Sequence, residues 1–217
     1  MRATTAVLAA LLSLSTTADG ALAQARGGRP AGEFDYYVMA LTWSPGWCSR
    51  EGETGGQCDP RHRHGFLLHG LWPQYDKGGW PEFCRTSMRD PSRAETGAMT
   101  DIMGSQGLAW YQWKKHGRCA GLSAADYLST QRKAYHSVAM PEVLSRLRED
   151  VRLPASVIED AFIETNPGMS RDMLTVTCSA GHIAEVRVCL TKDLEPRRCG
   201  QDVIRDCTLK NAILAAP

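Results

Sequence analysis

Arg61–Gln74 reads RHRHGFLLHGLWPQ, and a second stretch downstream, Trp110–Cys119, reads WYQWKKHGRC. Each carries a histidine followed by glycine, His69-Gly70 in the first and His116-Gly117 in the second. Phe66–His69 is apolar enough for a strand, in which Leu67 and His69 face the same way. Leu108–His116 reads as a helix. On it Gln112, Lys115 and His116 fall at i, i+3 and i+4 on one face, with Tyr111 at the edge of that face, one turn before Lys115. The two stretches therefore set a strand against a helix, and the chain around them continues in both patterns.

Working outward, Tyr36–Trp43 is aromatic and β-branched enough for a buried strand. Ser44–Asp59 holds Pro, several Gly and two Cys, and reads as a loop closed by Cys48–Cys58. Leu71–Cys84 reads as a loop that still carries Trp72, Tyr75, Trp80 and Phe83; these either pack over the core or offer stacking faces for bases. Helices follow over Ala98–Met103, over Ala124–Met140 behind the N-cap Ser123, from Pro141 to about Asp150, and from Pro154 to just before Asn166-Pro167-Gly168. Met173–Cys178 and Ile183–Leu190 are strand-like, the second alternating as an edge or half-buried strand does. No repeat or linker interrupts residues 26–217, which form a single α+β domain.

Residues 1–25 stand apart. Arg2, the short apolar run Ala6–Leu14 and the small-x-small sites Ala21-Leu22-Ala23 or Ala23-Gln24-Ala25 have the pattern of a secretory signal peptide. The run is shorter than the roughly 20 residues that span a bilayer, and no later segment is apolar enough to do so. The expectation is a secreted or periplasmic protein, not associated with a membrane. The formal net charge of +1 excludes a bulk polyanion binder, so any nucleic-acid contact must come from a local patch. All eight cysteines lie beyond the leader, without a CxxC pair, which favours disulfides in an oxidising compartment over a zinc site. Nothing here calls for an obligate protein partner, and a monomer is expected.

Two imidazoles, one to take a proton and one to give it, are the minimum for acid–base catalysis near neutral pH. Beside His116, the fixed charge of Lys115 suits a reaction at phosphorus, where it would stabilise charge on non-bridging oxygens. The plainer readings are a solvated basic helix end at Lys114–Arg118 and a core histidine at His69. Cys84 and Cys119 lie just beyond the two stretches, and bonding them would bring both toward one site. His62 and His64 form a His-x-His pair. With His69 they would make a metal-dependent phosphoesterase, though Asp59 is the lone carboxylate nearby.

Phe66-Leu67-Leu68-His69-Gly70-Leu71-Trp72-Pro73 and Tyr111-Gln112-Trp113-Lys114-Lys115-His116-Gly117-Arg118-Cys119 together resemble the two signature segments of the ribonuclease T2 family of exported endoribonucleases. Weaker similarity runs from Tyr36 to Cys207 and includes Glu185–Leu190. The resemblance implies a central antiparallel sheet with helices packed around it. It also implies cleavage of single-stranded RNA with no metal or other cofactor and little base preference. In that scheme His116 draws the proton from the ribose 2′-hydroxyl and His69 protonates the leaving 5′-oxygen. A 2′,3′-cyclic phosphate results and is hydrolysed more slowly. Lys115 and Gln112 would act with the two histidines, and Trp72, Tyr111 and Gln74 would hold the substrate. The family's cysteine pattern implies Cys84–Cys119 and Cys178–Cys207 enclosing Cys189–Cys199, with Cys48–Cys58 left over. Many members carry His-Glu where this chain has Tyr111-Gln112, and some carry Asp where it has Gln74. The rival within the same fold is an RNA-binding protein whose catalysis has decayed.

Overall fold

The computed structural model describes residues 30–51 and 56–217, so the expected signal peptide at 1–25 lies outside the described residues. Strand β1 is Tyr36–Trp43, as its composition predicts. Helix α1 then occupies Ser44–Glu51 and a 3-10 turn Gly56–Cys58, where the sequence reads as loop. Pro45 sits in the first turn, where a missing N–H costs nothing. Gly46 packs so closely on the chain that a Cβ would lie 2.9 Å from the Ile183 carbonyl oxygen. Both residues therefore serve a helix end here.

Strand β2 runs Phe66–Gln74, well past His69. It includes Pro73 because β2 is the edge of the sheet, where a residue without an N–H can be tolerated. Helix α3 (Thr100–Met103) lies within the expected Ala98–Met103, and helix α2 (Arg93–Gly97), capped by Ser92, precedes it where none was expected. Helix α4 is Gln106–Lys115, N-capped by Ser105 and C-capped by His116. Helix α5 is Ala124–Ser137, with the Ser123 hydroxyl accepting from the Asp126 N–H as its sequence suggests. The next helix, α6, is only Glu142–Ser145. It does not reach Asp150, because Val151–Leu153 is drawn off as strand β3. Helix α7 is Ser156–Thr165, and strands β4 (Leu174–Ser179), β5 (His182–Leu190) and β6 (Ala212–Leu214) complete the chain.

The strand order is β2-β1-β5-β6-β3, with β4 also paired to β5. Every pairing is antiparallel except a short parallel contact of β5 with β6 at His182 and Ile213, so the sheet is mixed. β5 is central, not an edge. Its alternation arises because Val186 and Val188 enter the main core, while the other face carries the part-buried Glu185 and Arg187 before Cys189 joins a second, smaller core.

β1 divides the interior in two. Tyr37, Met39, Leu41 and Trp43 enter the main core with Trp113, Tyr127, Ile158 and Phe162 from the helices. Tyr36 and Val38 face a small second core with Cys189, Cys199 and Val203. The register between β1 and β2 slips between Ala40 and Leu41: Ala40 faces Gly70 and Leu41 faces Leu68. His69 is therefore the extra residue of a β-bulge. Leu68 and Leu71, three apart, both reach the main core because of it, and Trp72 turns to the other face. A matching slip on β5 leaves Ala184 unpaired between Ile183 and Glu185.

Cys84–Cys119, Cys178–Cys207 and Cys189–Cys199 are the disulfides the resemblance implies, and Cys48–Cys58 is the remaining pair.

Candidate active site

The bulge and the end of α4 bring the two histidines to one tryptophan. The Trp72 ring centroid lies 5.2 Å from that of His69, edge to face, and 5.4 Å from that of His116. Trp72 is fixed by its Nε1, which donates to Gln112 Oε1 at 2.8 Å. Each histidine is followed by glycine for a steric reason. A Cβ on Gly70 would lie 2.2 Å from Gln112 Oε1 and 2.5 Å from Trp72 Nε1. On Gly117 it would lie 2.6 Å from the rings of Trp113 and Tyr127. Gly70 lets strand β2 approach helix α4, and Gly117 lets the end of α4 pack under the rings of Trp113 and Tyr127.

His116 is buried at the end of α4, where its N–H donates to the Gln112 carbonyl at 2.9 Å. Burial, then the neighbouring Lys115 and His69, push its pKa down to about 3 from the ordinary 6.5, because each disfavours the imidazolium. Its Nδ1 is enclosed without a hydrogen-bond partner among the described residues. His69 is placed differently. Its Nδ1 lies 2.6 Å from Glu185 Oε1, and the other carboxylate oxygen accepts from Arg187 Nε at 3.0 Å and Nη2 at 2.8 Å. Burial alone would raise the Glu185 pKa, but the bond to His69 and the charges of His69 and Arg187 bring it to about 2. One imidazole is thus held neutral in a dry setting. The other has its Nδ1 held against a largely buried carboxylate.

These groups open on a cleft of about 240 Å³ lined by Val38, His69, Trp72, Gln74, Trp80, Lys115, His116, Arg187, Asp202 and Val203. On the far side of His69 and Arg187 lies a second hollow of about 690 Å³, bordered by Thr42, Leu67, Leu108 and Glu185 among others. Lys115 Nζ lies 3.6 Å from Glu82 Oε2. The Cys84–Cys119 bond and a 2.8 Å bond from the Phe83 N–H to the Lys115 carbonyl lace the Trp80–Cys84 segment to the end of α4.

Of the residues singled out in the sequence, His69, His116, Lys115, Trp72 and Gln74 meet in the cleft. Gln112 is behind it, 1% exposed, and holds Trp72. Tyr111 is 46% exposed and does not border the cleft. His62 and His64 stack on each other, and His64 borders a separate hollow with Ala216 and Pro217. Among the described residues no group of three or more His, Cys, Asp or Glu side chains is arranged to hold a metal ion. Trp80, one of the loop aromatics named in the sequence, borders the cleft, whereas sequence reasoning gave no role to Glu185 or Arg187. The available signal was a pair of charges at i, i+2 on an otherwise apolar strand.

A profile of the ribonuclease T2 family matches residues 34–199, more than two thirds of the chain. The chain belongs to the ribonuclease T2 family. A stretch of 104 residues is 44% identical to a ribonuclease of Aeromonas hydrophila, covering 48% of this chain and 45% of that protein. Another of 126 residues is 31% identical to a probable ribonuclease of Haemophilus influenzae, covering 52% and 46%. In these alignments the chain spans about half the length of the relatives it matches. An RNase-related protein from Calystegia sepium has the same fold, with a TM-score of 0.63 at 22% identity over 85% of this chain and 98% of that one. No helix among the described residues is long and apolar enough to cross a membrane.

Proposed function

We propose that this T2-family chain is an endoribonuclease that cleaves single-stranded RNA by internal transphosphorylation. The observation that carries the reading is the unlike pair of imidazoles on either side of Trp72. One imidazole is buried and held neutral and the other is paired with a carboxylate, and two such unlike environments suit an acid–base pair. His116, neutral, takes the 2′-hydroxyl proton. The 2′-oxygen then forms a bond to the adjacent phosphorus, the bond from phosphorus to the 5′-oxygen breaks, and His69 gives its proton to that oxygen. The product ends are a 2′,3′-cyclic phosphate and a free 5′-hydroxyl. Slower hydrolysis of the cyclic ester reverses the two roles and returns both histidines to their starting states.

Lys115 supplies fixed positive charge to the phosphoryl oxygens, and Gln112 acts through Trp72 rather than on substrate. Trp72 and the 52% exposed Trp80 offer stacking faces that accept any base, which supports a weak base preference. Gln74 and Asp202 are polar groups on the same cleft wall. Four disulfides support residence in an oxidising compartment, secreted or periplasmic.

The test is incubation with a mixed-sequence RNA in the presence of a chelator, with product termini read by mass spectrometry. Cyclic phosphate ends, lost in His69→Ala and in His116→Ala, are expected. Intact RNA that stays bound would favour the RNA-binding rival. Chelator-sensitive cleavage leaving 5′-phosphate ends would sink the reading.

A further inference from the structure

We propose that Glu185, locked by Arg187, is the positioning residue that keeps His69 in its proton-donating form. The inference rests on the reading of His69 as the general acid. Its basis is topological as well as local. β1 lies between β2 and β5, and Ala40 faces Gly70 on one side and Arg187 on the other. Thr42 likewise faces Leu67 and Glu185. His69 and Glu185 therefore reach across β1 from opposite neighbours over small side chains, and each sits at or beside a bulge that redirects it.

A carboxylate with only 13% of its side chain exposed must be matched by donors or it destabilises the fold. Arg187 alone would satisfy that need. Yet Arg187 takes only Oε2, with both of its bonds, and leaves Oε1 to His69 Nδ1. The geometry fixes the ring, keeps a proton on Nδ1 and leaves Nε2 as the nitrogen that works in the cleft. Arg187 also lies 5.4 Å from the Trp72 ring centroid and borders both hollows, so the clamp is continuous with the substrate surface.

This arrangement makes Glu185→Gln a sharp probe. Arg187 needs an acceptor, so the new amide turns its oxygen to Arg187 and its NH2 group to His69. That NH2 cannot accept the Nδ1 proton, and the imidazolium is disfavoured. The variant is measured on two substrates: a dinucleoside phosphate, whose alkoxide leaving group needs a proton, and a nucleoside 3′-(4-nitrophenyl phosphate), whose leaving group does not. Expected is a loss in kcat of on the order of 100-fold or more on the first and less than about fivefold on the second, with KM little changed. His69→Ala shows the same split, and adding Glu185→Gln to it costs nothing further. Nitrogen-15 shifts of the folded variant report a His69 Nδ1 that has lost its proton.

Equal losses on both substrates, or full additivity with His69→Ala, would reduce Glu185 to a structural ion pair and overturn the inference. If His69→Ala itself loses as much on the nitrophenyl ester, the acid role of His69 falls and the inference falls with it. A Glu185→Gln protein that cannot fold is replaced by Glu185→Asp. There the shorter carboxylate loses contact with His69, and the same split between substrates decides.

Discussion

Gly70→Ala tests the central contact of the site by adding a single methyl group. The new Cβ would lie 2.2 Å from Gln112 Oε1, 2.5 Å from Trp72 Nε1 and 2.9 Å from Gln112 Cδ. Favourable contact begins near 3.5 Å, so the pair must separate by about 1 Å. Gln112 is buried and cannot swing into water, and the 2.8 Å bond from Trp72 is lost. An acceptor left buried and unsatisfied costs about 1–3 kcal/mol, and an extra methyl forced into a packed site about 1–3 kcal/mol more. A total of about 3 kcal/mol lowers Tm by about 6–12 °C in a domain of this size. Differential scanning calorimetry reads that change, and steady-state kinetics should report a raised KM as Trp72 moves off the cleft wall. Gly97→Ala is the control, because a Cβ there meets nothing within 4 Å. If Gly70→Ala melted within about 1 °C of the parent and kept its KM, the close-approach reasoning for His69-Gly70 would be wrong.

Other consequences are as direct. His116 has a folded pKa of about 3 against 6.5 in the unfolded chain, so between these values the unfolded state binds the extra proton. Stability from this residue is therefore complete above pH 6.5 and lost as pH falls toward 3, by roughly 5 kcal/mol at about 1.4 kcal/mol per pH unit. Urea melts of parent and His116→Gln should diverge over that window, and parallel curves would contradict it. The acid limb of the rate profile should likewise lie nearer pH 3 than 6.5. Removing the Cys84–Cys119 bond as a double serine variant should cost about 4 kcal/mol from its 35-residue separation. Catalytic efficiency should fall as well, because the Trp80–Cys84 segment keeps only the Phe83–Lys115 hydrogen bond and the Glu82–Lys115 ion pair to the end of α4; unchanged kcat/KM in the folded protein would refute that link. Lys115→Ala should lower kcat by about 100-fold or more with a smaller change in KM, as expected for a charge used in the transition state.

What was legible in the sequence was what is local. Helical spacing alone relates Gln112 to Lys115 and His116, and composition alone marks Tyr36–Trp43 as a strand. The grouping of Trp72 with both histidines followed from motif resemblance, and the bulge supplies its physical basis. Less visible were features made by distant pairing. Val151–Leu153 and Ala212–Leu214 are three-residue strands that exist because they pair with each other. Glu185 meets His69 only because β1 lies between their strands. Helix α1 was hidden by proline and glycine, which usually mark loops but here serve a first turn and a close contact. Gln112 shares a helical face with His116, yet its depth behind Trp72 depends on how α4 lies against β2.

The extra residue in β2 also decides what this strand can carry. Leu68 and Leu71 both reach the core although three residues apart, because one position between them is unpaired. Loss of one residue between them would leave the leucines two apart, and plain alternation would still turn both inward. The unpaired residue is His69 itself. The core therefore does not need the extra position, and the bulge lets the strand carry a reactive imidazole without turning either leucine away from the interior.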